Sequence, residues 1–294
     1  MRKKHQSADS LLQPEEQDKK EAWLAVYKIG WFSTGRGKSA RTLLETACQS
    51  IEKGEVETEI DFVFCSREPG ESPETDKFIA LVESYGIPLV CLSYKKFRNG
   101  RPDNSKSGVL PRWRLEYDRQ IMASLRDFHP DLCVLAGYML IVGKEICSRY
   151  NMINLHPAAP GGPAGIWQDV IWQLIEEKAK KTGVMMHLVI PELDKGPVVS
   201  YCTFPIVGAP FDSHWQAIKG QGVEEIKKRQ GENNPLFKTI REHGFKREIP
   251  LILASIKAFS QGNVSIKDGK VIDSQGRAII GYNLTGEIDK LVKQ

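Results

Sequence analysis

Three polar residues of this chain have the types and spacing to do acyl chemistry. Asn154 and His156 lie two apart in the apolar segment Met152-Ile-Asn-Leu-His-Pro157, so on a strand both point to one face. Pro157 cannot join a sheet ladder and biases His156 towards an extended conformation, which puts the pair where the strand ends. Asp194 follows in Pro191-Glu-Leu-Asp-Lys-Gly-Pro197. The set suits attack of an amine on an activated acyl carbon. The imidazole relays protons near neutral pH, the Asn amide donates to the oxyanion of a tetrahedral intermediate, and the carboxylate orients the imidazole and favours its charged form. A plainer alternative stays open: a satisfied histidine at a strand end, and an aspartate bonded to its own turn. His187, in the apolar run 186–190, reads as packed core. His5, His129, His214 and His243 show no ligand spacing, so no metal cluster is expected.

A second candidate is Thr34-Gly-Arg-Gly-Lys-Ser39. Its Gly-Lys-Ser ending suggests a P-loop, but the position where that motif needs its first glycine is Phe32. A more general anion cradle survives. Gly35 and Gly37 allow close backbone approach, Lys38 and Ser39 open a helix with free N–H groups, and Arg36 adds charge. An ordinary tight turn with two solvated cations explains the same residues.

These groups need a scaffold. Strand composition over 23–32, the glycine turn, and Leu43, Leu44, Ala47 and Ile51 at helical spacing over 40–52 form the opening of a doubly wound sheet. The pattern repeats with a strand at 60–65, a helix at 76–85 and a strand at 87–92. A polar stretch, 94–112, reads as exposed loop. A helix at 113–128, a buried strand at 131–137 and a short helix at 144–150 lead into the Asn154 strand. After it come a helix at 168–178 and two strands, 183–190 and 198–206, whose short link makes them antiparallel. Residues 207–235 are polar and resemble an insertion, and a long helix surrounds 250–259. The expected fold class is α/β, a doubly wound, mostly parallel sheet of about seven strands with a C-terminal antiparallel hairpin. The expected division is a disordered tail at 1–21, a catalytic domain at 22–262 and a small β appendage at 263–294.

The chain has 294 residues, 41% hydrophobic and 27% charged, with a net charge of +4. So mild a charge does not demand nucleic acid but suits an anionic substrate. The six cysteines form no C-x-x-C pair, as expected of buried free thiols in a reducing cytoplasm. No apolar run has the length of a membrane span and the N-terminus is no signal peptide, so the expected location is cytoplasmic.

The motifs also carry a resemblance. Thr34-Gly-Arg-Gly-Lys-Ser39, Arg114-x-x-Tyr117-Asp118, Leu135-Ala-Gly-Tyr-Met-Leu140, Asn154-Leu-His-Pro157 with Gly165, Thr182-Gly-Val-Met-Met-His187 and Glu192-Leu-Asp-Lys-Gly-Pro197 resemble, in order, the formyltransferase family that uses 10-formyltetrahydrofolate. The resemblance covers roughly 23–206, with weaker similarity through 248–265. It implies the formyltransferase fold, 10-formyltetrahydrofolate as formyl donor, and an anionic amine such as glycinamide ribonucleotide as acceptor. The rival acceptors are an amino-sugar nucleotide and water. It implies that Asn154 and His156 act at the formyl carbon and that Asp194 tunes the histidine. Met139, Leu140, Ile141 and Val142, with Ile190, Pro191 and Glu192, would form the pterin pocket. Gly35, Gly37, Lys38 and Ser39 would hold the substrate phosphate, and Arg114 would lie near the ligands' anionic groups. No nucleic-acid or membrane partner is expected, and a homodimer is the assembly the reading allows. The hydrolase relatives carry a domain ahead of the catalytic one, for which the lead here is too short. A non-catalytic nucleotide-binding module would keep the glycine turn without needing Asn, His and Asp.

Departures from the family pattern leave the formyl chemistry intact and the acceptor amine open. Ala158-Ala-Pro-Gly-Gly162 stands where Ser-Leu-Leu-Pro is usual, Lys38-Ser39 replaces Ser-Asn, and Leu140 replaces an arginine. The acidic residue that usually meets the ribose has only Glu242 and Glu248 as candidates.

Overall fold

The computed structural model describes residues 26–101 and 110–293; the tail read at 1–21 and part of the 94–112 stretch lie outside the described residues. In chain order come β1 (Lys28–Ser33), α1 (Lys38–Glu52), β2 (Glu59–Cys65), α2 (Pro73–Ser84), β3 (Leu89–Cys91), α3 (Tyr94–Arg98), α4 (Arg112–Ser124), β4 (Leu132–Leu135), α5 (Lys144–Arg149) and β5 (Met152–His156). Then follow α6 (Trp167–Glu176), β6 (Lys181–Leu188), β7 (Val198–Pro205), α7 (Phe211–Ala217), α8 (Val223–Gln230), α9 (Pro235–Ser260), β8 (Val264–Lys267), β9 (Lys270–Asp273), β10 (Tyr282–Asn283) and α10 (Thr285–Val292).

Eight strands make the main sheet in the order β10-β7-β6-β5-β4-β1-β2-β3. The run from β3 to β5 is parallel, and β6 is antiparallel to both β5 and β7, the second pairing being the one its short link requires. The eighth strand is the two-residue β10, which the C-terminal segment adds parallel to β7. Order reverses at β1, flanked by β2 and β4, and such a switch point opens a crevice beyond the carboxyl ends of the strands. The Thr34 N–H donates to the Gly137 carbonyl at 3.1 Å, which joins the loops after β1 and β4 across that crevice. β5 ends beside it.

The sheet is buried on both faces. On one side Leu44 and Ala47 of α1 and Leu251, Ile252 and Phe259 of α9 cover Ile29, Trp31, Val63 and Val134. On the other, Tyr117 and Ile121 of α4 cover Phe32, Phe62, Phe64 and Leu135. Alternate residues of β1 and β2 therefore feed opposite cores, as period two dictates.

Three stretches differ from expectation. α3 forms inside the polar 94–112 segment because Ser93 caps it, accepting from the Lys96 N–H at 3.1 Å. The polar 207–235 stretch holds α7 and α8, which bury Phe211 and Ile226 in a third core with α6 and the start of α9. The closing helix begins at residue 235, earlier than the apolar run around 250–259 indicates. Asn234 caps it and Pro235 occupies its first turn, while Pro250 sits within it and lacks the N–H that a ladder bond needs. Residues 264–273 form a hairpin apart from the main sheet.

Candidate active site

β5 is fixed by parallel pairing to β4 and antiparallel pairing to β6, with Asn154 opposite His187 and His156 opposite Met185. Directly opposed residues share a face, so Asn154, His156 and His187 all point the same way. Asp194 comes from the β6–β7 turn, where it adopts a φ of +56°. That turn closes tightly: a Cβ on Gly196 would fall 1.6 Å from the Leu188 carbonyl oxygen, so glycine is required there.

Four side chains converge. His156 Nδ1 is 3.9 Å from Asp194 Oδ2, His187 Nε2 is 3.5 Å from Asp194 Oδ1 and 3.4 Å from Asn154 Nδ2. Both imidazoles are 3% exposed. Backbone carbonyls fix the tautomers, because a carbonyl only accepts. His187 Nδ1–H donates to Leu188 at 3.1 Å, so its bare Nε2 accepts from the Asn154 amide. Burial pushes the His187 pKa below its ordinary value, opposed by the Leu188 carbonyl and the Asp194 charge, and the ring is neutral at physiological pH. One Asn154 N–H is thus committed to His187, which leaves the second for another acceptor. Nothing in the apolar run 186–190 signals this; the signal lies in the strand register.

His156 Nε2–H donates to the Pro163 carbonyl at 2.9 Å. The loop that delivers the carbonyl is the Ala158–Gly162 departure. Gly162 N–H donates to Ala159 O at 2.8 Å and Gly161 has a φ of +75°, a turn with proline then glycine at its centre. Ala158 is wholly buried and anchors it.

The 34–39 loop is tied to the segment after β4. Thr34 Oγ1 accepts from the Met139 N–H at 3.0 Å and from Ser66 Oγ at 3.1 Å, and Thr75 Oγ1 donates to Gly35 O at 3.3 Å. Gly35 has a φ of +58° and packs on Phe78. Gly37 caps α1 without a side-chain bond, and no acid occupies the first turn. The positive helix end and the exposed Arg36, Lys38 and Ser39 therefore face solvent together. Across the crevice Met139 and Ile141 are exposed, Leu140 and Ile190 half-buried, Val142 buried, and Pro191 and Glu192 exposed.

Arg114 is buried. Its Nη1 donates to Asp118 Oδ1 at 2.6 Å, and Asp118 Oδ2 accepts from the Gly143 N–H at 2.7 Å, so this ion pair is tied to the residue after the 139–142 segment. Burial raises the Asp118 carboxyl above its usual range, with Arg114 and the Gly143 N–H opposing. Among the described residues Arg114 Nε and Nη2 make no hydrogen bond. Of the two acids considered for a ribose, Glu242 is exposed. Glu248 is ion-paired with Arg241, whose guanidinium lies 4.7 Å over Trp167 and 4.9 Å over Phe245.

The doubly wound sheet thus brings Asn154, His156 and Asp194 together at the end of β5, with a glycine loop after β1 at the switch point, an arrangement suited to acyl transfer. The formyl transferase family matches residues 28–213, and the chain belongs to that family. A relative of known name is the phosphoribosylglycinamide formyltransferase of Haemophilus influenzae, 26% identical over 260 residues, 85% of this chain and 98% of the relative. In fold the chain is similar to the phosphoribosylglycinamide formyltransferase of Coxiella burnetii, with a TM-score of 0.60 at 17% identity over 88% of this chain and 99% of the other. It is also similar to the formyltetrahydrofolate deformylase of Burkholderia mallei, with a TM-score of 0.57 at 16% identity over 85% of this chain and 71% of the other.

Proposed function

We propose that the chain transfers a formyl group from 10-formyltetrahydrofolate to a primary amine, glycinamide ribonucleotide being the first acceptor to test. The observation that carries this reading is the convergence of Asn154, His156, His187 and Asp194 within 3.4–3.9 Å contacts. Two imidazoles around one carboxylate, with an amide beside them, suit proton traffic at a carbonyl.

In the proposed reaction the amine lone pair attacks the formyl carbon and the carbonyl electrons move to oxygen. The second Asn154 N–H donates to that oxyanion, a contact worth about a hundred- to a thousandfold in rate. The proton shed by the attacking nitrogen passes through His156 to the leaving nitrogen of the folate, whose bond to carbon then breaks. Asp194 stabilises the imidazolium formed in between. Residues 139–142 and 190–192 would hold the pterin through backbone groups and apolar walls. Gly35, Gly37, Lys38 and Ser39 offer the N–H groups and charge that a phosphate takes, and Arg114, buried behind the 139–142 segment, would act on an anionic ligand group through its charge.

The test is the consumption of 10-formyltetrahydrofolate against a panel of amines, with formylated product and formate measured separately. Product from glycinamide ribonucleotide supports the reading in full. Product from another amine, such as an amino-sugar nucleotide, keeps the chemistry and changes the acceptor. Formate released without any amine makes water the acceptor, as the deformylase-like fold neighbours allow. No consumption at all overturns it.

A further inference from the structure

We infer that the turn Ala159-Pro160-Gly161-Gly162 is a positioning device that locks the Pro163 carbonyl onto His156 Nε2, so that Nδ1 is the nitrogen that moves the proton. The inference rests on the proposed formyl transfer for the identity of the reaction, but its geometry stands without it. A carbonyl oxygen 2.9 Å from Nε2 can only accept, so Nε2 keeps its proton throughout the cycle. The ring's other nitrogen lies 3.9 Å from Asp194 Oδ2, too far for a direct hydrogen bond, so the carboxylate does not hold a proton on it in the resting site.

The loop is built for one position of that carbonyl. Pro157, Pro160 and Pro163 each fix φ over a short stretch, Ala158 is wholly buried, and the Gly162 N–H to Ala159 O bond closes the turn. A Cβ on Gly162 would sit 2.9 Å from Ala159 O and 3.3 Å from Ala158 Cβ, so no larger residue fits without moving the turn. Gly161 is different. Its φ of +75° favours glycine, yet a Cβ there meets nothing within 4 Å, so substitutions at Gly161 report backbone conformation alone.

In the proposed cycle Nδ1 starts bare, accepts the proton shed by the attacking amine as the new carbon–nitrogen bond forms, and returns it to the folate nitrogen as the old bond breaks. Atoms and charge balance with no further reactant. The Pro163 carbonyl stays bonded to Nε2–H in both states. It acts through His156 and touches no substrate, so it is a positioning group.

The experiment uses the full chain and two readouts. Heteronuclear NMR of the imidazole nitrogens, on the alkaline side of the imidazole titration, should show the His156 proton on Nε2, the signal being assigned by its loss in His156→Gln. In Gly161→Val the same signal should become a mixture of tautomers. kcat should fall by about tenfold with KM for donor and acceptor held, whereas Gly161→Asn, which tolerates positive φ, should keep most of both. Circular dichroism and the melting midpoint establish that each variant is folded. A wild-type proton on Nδ1, or equal kcat for Gly161→Val and Gly161→Asn, overturns the inference. Should no amine or water accept a formyl group, the functional reading fails while the NMR arm alone still decides the tautomer.

Discussion

Two buried polar clusters flank the segment 139–143 and they are built to opposite specifications. Beneath it, Arg114, Asp118 and the Gly143 N–H meet at 2.6 and 2.7 Å, with both side chains at most 4% exposed. Beside it, Asn154, His156, His187 and Asp194 approach no closer than 3.4 Å. Short contacts satisfy charge and hold a shape; long contacts in a resting site tighten only when a ligand arrives. The first cluster is therefore expected to govern stability and donor affinity, and the second turnover.

The widest separation between the two comes from Asp194→Ala and His156→Ala. Each should lower kcat by roughly a thousandfold or more, the range for a lost proton-transfer group, with Asn154→Ala costing about a hundred- to a thousandfold. The unfolding midpoint should barely move in Asp194→Ala, because contacts of this length contribute little, whereas His156→Ala also loses its 2.9 Å bond to the Pro163 carbonyl and should cost about 1–3 kcal/mol. Wild-type turnover in either His156→Ala or Asp194→Ala would remove the mechanism; a large loss of stability in Asp194→Ala would erase the distinction between the clusters.

The opposite profile belongs to Asp118→Ala. It leaves the Arg114 cation buried without its partner, which costs about 3–5 kcal/mol, read from denaturant unfolding. The paired replacement Arg114→Met with Asp118→Leu should recover most of that stability, since a packed apolar pair replaces a buried ion pair at little cost. It should not recover donor affinity, because the Gly143 N–H then has no acceptor and the 139–142 segment loses its anchor. A double variant with wild-type KM for the formyl donor would show that the lower cluster serves the fold alone.

How much of this is legible in sequence follows the same division. Asn154 and His156 are local and Pro157 ends their strand, so the pair's shared face at a strand end can be read directly, and the short 191–197 link gives the antiparallel pair. His187 cannot be read from its apolar neighbours; it joins the site because β6 pairs with β5 in one register, a non-local fact. The Pro163 carbonyl is a backbone group with no residue signal at all. Arg114 and Asp118 show helical spacing, but their target Gly143 lies on another element. The polar composition of 207–235 hides α7 and α8 because Phe211 and Ile226 are the side chains they bury. The doubly wound order was the easiest part, since alternating apolar strands and amphipathic helices specify it locally.

The smallest effect expected is a pH slope, and it tests whether His187 belongs to the chemical cluster or to the core. Burial lowers its pKa in the folded chain, so the unfolded state binds the proton first as pH falls. The stability associated with neutral His187 is present above the unfolded value of about 6.5 and is lost as pH falls from there through the lowered folded value. One proton limits the slope to about 1.4 kcal/mol per pH unit. His187→Gln should flatten this acid limb in unfolding midpoints measured from about pH 5 to 8. Protonation also matters to the site, because an Nε2–H cannot accept from Asn154 and the amide proposed to donate to the oxyanion loses the bond that holds it. The kcat of the wild type should therefore fall over the same acid window. In His187→Gln the side-chain carbonyl still accepts at every pH, so kcat should be lower but its acid limb shallower. An unchanged acid limb in both stability and kcat would return His187 to the core.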